Sequence, residues 1–250
     1  MTQGSAHDSS TIVAVAQSAA EERPGRLHRL RLIDDRLAIV YGRPRWHSHG
    51  SPLDELIATV LSQNTSDINS ARAFSSLRSR FPSWEDVVSA HTADVADAIR
   101  SGGLADLKAS RIQDILRAVA VETGQMSLDW LGSRSLGEAR AWLTALTGVG
   151  PKTAACVLLF SLGLPVMPVD THVLRVSRRL GLIPNDLNVE RAHAALDQLI
   201  GSDRDATYVL HLNLIEHGRS TCTARHPACR RCNLSDFCPS ADLGLSNRLV

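Results

Sequence analysis

The chain has 250 residues, of which 44% are hydrophobic, and its formal net charge is +1. This length and composition suffice for the core of one large domain or two small ones. The balanced charge does not by itself indicate a polyanionic partner, and no apolar run approaches the ~18 residues of a membrane span. We therefore expect a globular protein with no membrane partner.

The first predicted segment is a disordered N-terminal tail over residues 1–24. It is mildly apolar over residues 11–20 but lacks a basic segment, and Asp8 precedes the apolar stretch, which argues against a signal peptide. Residues 23–45 hold seven arginines and two aspartates. Their apolar positions have helical spacing and predict an amphipathic helix with a solvated face: Leu27, Leu30, Ile33 and Leu37.

A core helix is predicted after Ser51, which caps it, with Pro52 at its first position. Its apolar positions form a continuous stripe: Leu53, Leu56, Ile57, Val60 and Leu61. The helix ends in a polar run over residues 61–67 that includes Gln63 and Asn64. Taken alone, this run is a helix–helix connection rich in capping residues.

Further helices are predicted near residues 67–80, 83–91 and 92–101, and the last ends at a glycine pair, as helix C-caps often do. Leu104 follows in an otherwise polar turn. A single apolar residue there usually packs back onto its own helix, whereas an apolar tip on a tight turn can also insert into a partner. Lys108 and Arg111 add positive charge within reach of a phosphate.

Two helices joined by a hairpin organise the chain. A capping box at Ser135 begins a helix that ends near Leu146, and Pro151 starts the next one. Between them, Gly148 and Gly150 allow a tight turn that brings unpaired amides close to a ligand. An anion is expected at such a helix N-terminus, and a nucleic-acid phosphate suits a helix–hairpin–helix.

Lys152 lies in the first turn of the second helix, where the helix macrodipole disfavours a cation. This mismatch indicates a chemical role, because the same dipole favours the neutral amine that a nucleophile needs. Eighteen residues later, Asp170 precedes a run with helical periodicity, so it can cap a helix and keep one carboxylate oxygen free. His172 follows in the same segment.

Four of the five cysteines lie within seventeen residues: Cys222, Cys229, Cys232 and Cys238. Such a cluster indicates a metal site in a reducing compartment, either zinc or a [4Fe–4S] cluster, and a single short loop favours the cluster. Around it, no acidic residue lies between His217 and Ser235, whereas arginines are frequent, including Arg225, Arg230 and Arg231. Unopposed arginines on one braced loop predict a phosphate contact.

The run from Gly148 to Ala154, the Val-Asp-Thr-His run ending at His172 and the cysteine spacing together resemble the endonuclease III family of base-excision DNA glycosylases. The resemblance spans residues 27–238 and settles the expected cluster as [4Fe–4S]. It implies that Lys152 attacks C1′ of the sugar and that Asp170 assists. Thr147 departs from the family pattern, which commonly has proline there.

The resemblance also implies DNA contacts. Residues 61–67, here named the gap loop, match the family's loop that fills the space left by an extruded base, with Gln63 or Asn64 as the filling amide. Leu104 would act as a wedge between base steps, and we name residues 102–104 the wedge turn. The remaining implied contacts are Gly148, Gly150 and Thr153 in the hairpin region, the three arginines of the cysteine loop, and His172 in the base pocket.

The expected fold is an all-α, two-domain helix-hairpin-helix DNA glycosylase fold. A six-helix barrel would span residues 46–164, and an iron–sulfur cluster domain would combine residues 25–45 and 165–240. Residues 241–250 would form a C-terminal tail. We expect a monomer in the cytoplasm, associated with the bacterial nucleoid.

The predicted function is a bifunctional glycosylase and abasic-site lyase that removes oxidised pyrimidines from double-stranded DNA and also acts on abasic sites. A monofunctional glycosylase is one alternative. The adenine-removing branch is disfavoured, since it carries a glutamate where this chain has Ala58 and lacks the lysine. A non-catalytic DNA-binding or damage-sensing module is the second alternative.

Overall fold

The structure is a computed structural model that describes residues 9–241, with side chains from Pro24 onward. Every regular element in that range is helical, and the range contains no β-strand. The predicted all-α class is therefore confirmed. The chain forms two compact units, one comprising Arg45–Asp170 and the other combining the described residues before and after it.

The described part of the chain contains the following α-helices in order: α1 (Ser9–Tyr41), α2 (Pro52–Ser62), α3 (Asp67–Arg80), α4 (Trp84–Ser89), α5 (Thr92–Ala98), α6 (Ala105–Thr123), α7 (Leu136–Ala145), α8 (Pro151–Cys156), α9 (Thr171–Arg179), α10 (Val189–Ile200) and α11 (Arg204–Ser220). Short 3₁₀ turns occur at Arg100–Gly102, Asp129–Ser133 and Cys229–Arg231. A π-helical turn, Val157–Ser161, continues α8.

Helix α2 lies at the centre of the Arg45–Asp170 unit and packs against α3, α6 and α8. Its predicted apolar stripe is confirmed, because the five stripe residues are each 1% exposed or less. The predicted cap is confirmed as well, since the Ser51 hydroxyl accepts a hydrogen bond from the Asp54 amide at 3.1 Å. Burial of this stripe fixes which face of α2 is turned to solvent and so sets the direction of the gap loop that follows.

The helix predicted after Pro151 is α-helical only to Cys156 and then widens into the π turn. The carbonyls at the end of this turn have partners in a neighbouring segment: Trp46 Nε1 donates to Leu159 at 2.8 Å, and the His49 amide donates to Phe160 at 3.0 Å. The Leu159 and Phe160 carbonyls at the helix end are thus satisfied by donors from outside the helix. Periodicity alone did not predict the π turn.

In the other unit, α1 packs against α10 and α11, and α9 packs against α11. Leu30, Ile33 and Leu37 are buried, as predicted for the apolar face of α1. Two arginines of α1 donate hydrogen bonds to backbone carbonyls of the C-terminal segment and so do not face only solvent. Arg29 Nη1 donates to the Phe237 carbonyl at 2.8 Å, and Arg36 Nη1 donates to the Asn233 carbonyl at 3.0 Å.

The predicted segment boundaries differ from the structure at two places. Helix α1 begins at Ser9, so the backbone of residues 9–24 is helical where we predicted a disordered tail. Residues 165–170, which we placed with the C-terminal helices, belong to the Arg45–Asp170 unit. Residues 1–8 and 242–250 lie outside the described range. None of the described helices is both long and apolar enough to cross a membrane.

Candidate active site

The hairpin between α7 and α8 has the geometry that the sequence predicts. Both halves of the capping box that starts α7 are present, with the Ser135 hydroxyl and the Glu138 carboxylate each accepting from a backbone amide. Gly148 has φ = +77°, a left-handed conformation that an L side chain adopts only with strain. Pro151 then starts α8 and places Lys152, which is half-buried, in its first turn.

Lys152 lies beside a buried thiol at the end of its own short helix. Burial raises the pKa of the Cys156 thiol to about 11, while the positive charge of Lys152 and a hydrogen bond from its side chain oppose the rise. The carboxylates of Glu55 and Asp170 act on the same thiol in the raising direction. The charges of Lys152, Glu55 and Asp170 thus all influence the pKa of the same buried thiol.

The sequence contains only two lysines, Lys108 and Lys152. Lys108 is 1% exposed, and its Nζ donates to the Leu61 carbonyl at 2.7 Å and to the Gly102 carbonyl at 2.9 Å. The expectation that Lys108 adds charge for a phosphate is therefore wrong, because its ammonium is turned inward onto two carbonyl oxygens. Lys152 is the remaining side-chain amine and the one with access to solvent.

Glu55 is a site residue that sequence reasoning missed. Its carboxylate accepts from Thr59 Oγ1 at 3.1 Å and lies 3.6 Å from His49 Nδ1. His49 in turn stacks on the Phe160 ring with a centroid separation of 4.8 Å. A glutamate in the first turn of a helix is common, because it interacts favourably with the helix dipole. The sequence therefore gives no sign that Glu55 has a role beyond helix stability.

The two candidate gap-filling amides of the gap loop, Gln63 and Asn64, lie in different environments. The Gln63 amide is engaged at both ends: Oε1 accepts from Arg111 Nη1 at 2.8 Å, and Nε2 donates to the Gly148 carbonyl at 3.2 Å and to Thr153 Oγ1 at 3.4 Å. Asn64 is exposed and has φ = +56°. Thr153, predicted as a DNA contact, is 4% exposed, so its side chain is turned towards Gln63.

Leu104 lies at the N-terminus of α6 with φ = +51°, and its side chain is 55% exposed. More than half of its side chain is therefore accessible to solvent, and the remainder is covered by the protein. Leu107, one turn further along α6, is equally exposed at 55%. The wedge turn therefore presents an apolar tip to solvent.

Comparison with known proteins places this arrangement in a family. Residues 57–201 match the family described as HhH-GPD superfamily base excision DNA repair protein. The chain belongs to the HhH-GPD superfamily. Within it, endonuclease III of Thermotoga maritima is 34% identical over 200 residues, which cover 80% of this chain and 88% of that protein. This confirms the resemblance to endonuclease III and the expected fold.

Two further matches support an endonuclease III-like DNA glycosylase of base excision repair. A predicted DNA glycosylase of Arabidopsis thaliana is 40% identical over 169 residues, covering 68% of this chain and 57% of that relative's length. A solved structure of a trapped endonuclease III–DNA covalent intermediate has a TM-score of 0.72 and 29% identity, and the match covers 88% of this chain and 98% of that one.

The four clustered cysteines of this HhH-GPD protein line one cavity of about 550 Å³ in the unit that contains α9 and α11. Arg179 Nη1 lies 3.4 Å from Cys222 Sγ, and the Leu234 amide donates to Cys232 Sγ at 3.4 Å. Among the described residues, no three His, Cys, Asp or Glu side chains converge closely enough to hold a metal ion. Cys156 is buried and lies outside this cavity, as predicted.

The three arginines predicted to contact DNA from the cysteine loop are exposed: Arg225, Arg230 and Arg231. Arg231 Nη2 lies 3.4 Å from the Ser220 carbonyl. His172, predicted for the base pocket, has its Nδ1 3.1 Å from Arg175 Nη2. Its Cβ is so close to α11 that a Cβ at Gly218 would lie 2.9 Å away. His172 therefore packs within its own unit.

Proposed function

We propose that the chain is a bifunctional DNA glycosylase and abasic-site lyase that acts on oxidised pyrimidines in duplex DNA. The observation that carries the proposal is that Lys152, in the first turn after the hairpin, is the one side-chain amine in the sequence that is not buried. Lys152 and Asp170 also both act electrostatically on the Cys156 thiol. The resemblance to a trapped covalent endonuclease III–DNA intermediate supports the same chemistry. The target base would leave the stack before reaction, because C1′ is shielded inside the duplex.

In the first step, the lone pair of the Lys152 Nζ attacks C1′, the bond from C1′ to the base nitrogen breaks, and the base departs with a proton. Ring opening then gives an imine between Nζ and C1′. Asp170 stabilises the positive charge that develops at C1′ and moves protons between the amine and the sugar oxygen. Asp170 directly precedes α9 and is half-buried.

In the second step, the imine acidifies the C2′ hydrogen. Loss of that proton is followed by cleavage of the C3′–O bond, and the 3′ phosphate leaves with the bonding electrons. The strand is thereby nicked by β-elimination, and hydrolysis of the imine regenerates Lys152. Each bond change uses groups of the DNA and the two side chains, and water is the only added reactant.

DNA would contact the gap loop, the wedge turn and the hairpin of the Arg45–Asp170 unit. The exposed arginines of the cysteine loop would provide further phosphate contacts. Leu104 would insert between base steps, as its exposed apolar tip suggests. Because both ends of the Gln63 amide are already bonded, Asn64 is the better candidate to fill the gap of the extruded base. Gly148 and Gly150 would let the hairpin backbone approach a phosphate.

We further propose that Cys222, Cys229, Cys232 and Cys238 hold a [4Fe–4S] cluster. The four cysteines line one cavity together, and four cysteine thiolates are the usual ligands of such a cluster. The cluster would brace a loop too short to have its own core. Cleavage of a glycosidic bond requires no electron transfer.

The test is borohydride reduction of the protein mixed with a duplex that contains one abasic site. The wild-type protein should form a covalent adduct, Lys152→Gln should form none, and Arg117→Met, at an exposed position on α6, should still form it. Binding without an adduct in the wild-type protein would support the DNA-binding module, and base release without strand cleavage would support the monofunctional glycosylase. A panel of duplexes with single defined lesions would test the preference for oxidised pyrimidines.

Asp170→Asn supplies a second test of the same mechanism. Loss of a proton-handling carboxylate lowers a rate by roughly 10²- to 10⁴-fold, so single-turnover base excision should slow by that amount. Asp186→Asn, at an exposed position before α10, is the matched control and should leave the rate unchanged. Equal rates for Asp170→Asn and wild-type protein would remove Asp170 from the mechanism.

A further inference from the structure

Two cations on α6 hold three separate turns of the Arg45–Asp170 unit. Lys108 joins the start of the gap loop, through the Leu61 carbonyl, to the wedge turn, through the Gly102 carbonyl. Arg111, one turn further along, joins the gap loop to the hairpin. The turns come from distant parts of the sequence, so α6 is the element that fixes their relative positions.

The contact between Arg111 and the hairpin is unusually close. A Cβ built on Gly148 would lie 2.0 Å from Arg111 Nε and 2.4 Å from Arg111 Cζ. Glycine is therefore required at position 148 for two reasons. Its φ is positive, and the Arg111 guanidinium occupies the space that a side chain would need. Any other residue at this position would displace Arg111 from the hairpin.

Gln63 completes the connection between the gap loop and the hairpin. Its carbonyl oxygen accepts from Arg111, and its amide nitrogen donates to the Gly148 carbonyl and to Thr153 Oγ1. Thr153 directly follows Lys152 in α8. We name Gln63, Arg111 and Gly148 the clasp. Through it, the gap loop contacts both the hairpin and the helical turn that bears the proposed nucleophile.

Arg111 holds this position at a cost. Its Nε is buried and has no hydrogen-bond partner among the described residues, and a buried unsatisfied donor destabilises a fold by ~1–3 kcal/mol. A guanidinium whose only task was to attract phosphate would remain solvated. Its close approach to Gly148 instead restricts the position of the hairpin backbone.

We propose that Arg111 and Gln63 are positioning residues that lock the hairpin bearing Lys152 to the gap loop, so that filling the base gap and presenting the amine to C1′ are one event. This inference rests on the proposed lyase function. A reacting group displaced by about 1 Å can lose about 10² in rate, so losing the clasp should slow the chemical step rather than weaken DNA binding.

The experiment uses Arg111→Met, Gln63→Ala and their combination, with Arg117→Met as the control. Arg117 is exposed on the same helix, and its side chain forms an ion pair with Asp114. The readouts are the rate of borohydride trapping on a saturating abasic duplex in a single turnover, and the Kd for that duplex across a range of salt concentrations.

We expect each single variant to form the borohydride-trapped adduct at least about tenfold more slowly than wild-type protein. The double variant should be no slower than the slower of the two single variants. The Kd for the abasic duplex should stay unchanged in all three. The control should behave like wild-type protein. If Arg111 is instead a phosphate contact, its variant would bind more weakly, the salt slope would fall by about 1, and the saturated rate would be preserved. That result, or additive effects of the two substitutions, would overturn the proposal.

Hydrogen exchange in the free protein tests the clasp independently of catalysis. Amides of residues 146–153 should exchange several-fold faster in Arg111→Met and in Gln63→Ala than in Arg117→Met. Unchanged exchange in Gln63→Ala would refute the clasp even if the protein is an active lyase. Conversely, faster exchange together with no borohydride adduct in wild-type protein would uphold the clasp and reject the proposed function.

Discussion

The ammonium nitrogen of Lys108 lies 2.7 Å from the carbonyl oxygen of Leu61, near the C-terminus of α2. Its second acceptor, the Gly102 carbonyl, ends a 3₁₀ turn, so the cation sits at the negative ends of two helical segments. Burial, and then the charge of Arg111, lower the pKa of Lys108. Two strong acceptors nevertheless compensate for removing this amine from water.

Lys108→Met should therefore destabilise the protein by about 2–4 kcal/mol. The methionine fills the volume of the lysine stem but leaves two buried carbonyls without a donor, at ~1–3 kcal/mol each. Chemical denaturation followed by circular dichroism measures the change. Arg117→Met removes an exposed cation from the same helix and should alter stability by less than about 1 kcal/mol. Similar losses for both variants would contradict the buried role of Lys108.

Leu104→Gly should separate stability from function. Relief of the positive φ offsets the added chain entropy of glycine, so the free energy of unfolding should stay within about 1 kcal/mol of the wild-type value. Excision of a paired damaged base should fall by about tenfold to a hundredfold, because the wedge no longer offsets unstacking. Val121→Ala, at a residue 87% exposed on α6, should change neither quantity. Excision at the wild-type rate would rule out the wedge.

The capping box of α7 predicts a dependence of stability on pH. Hydrogen bonds from the Ser135 side chain, and then from its backbone amide, lower the pKa of Glu138 below its usual value of 4.5. Because the folded pKa is the lower one, the stabilisation is present above pH 4.5 and is lost as the pH falls through the folded value.

The measurement is the difference in unfolding free energy between wild-type protein and Ser135→Ala as the pH is lowered. The wild-type protein should be the more stable at neutral pH, and the difference should narrow in acid. Ser76→Ala, at an exposed position on α3, is the matched control and should show no such dependence on pH. A difference that grows as the pH falls would contradict the assigned sign.

The proposed cluster predicts different results for different cysteines. Cys238→Ser should lower the iron and sulfide content of the purified protein and make the segment around residues 222–238 sensitive to proteases, because the loop would lose its brace. Cys156→Ser should retain the full iron content, since that thiol is buried outside the cysteine-lined cavity. Zinc without sulfide in the wild-type protein would point to the alternative metal.

Sequence reasoning succeeded where local rules determine structure. The hairpin follows from glycine at Gly148, proline at Pro151 and a capping box at Ser135, each of which acts within a few residues. The apolar stripe of α2 follows from helical periodicity. The four clustered cysteines are close in sequence, so their closeness in space could also be predicted.

The same reasoning failed for residues whose partners are distant along the chain. Lys108 lies in phase with Ile112 and Ile115, so a cation within an apolar stripe was a usable signal of burial, although the stripe does not reveal which carbonyls it meets. Glu55 and Arg111 carried no such signal, because their contacts arise only when α2, α6 and the hairpin pack together.

The scarcity of lysine has a chemical consequence beyond the mechanism. An opened abasic sugar presents an aldehyde, which condenses with primary amines far more readily than with guanidinium groups. Apart from two lysines, this chain carries its positive charge as arginine, and one of those lysines is sealed inside the protein. Its surface can therefore attract damaged DNA while offering the sugar almost no competing amine for an unproductive crosslink.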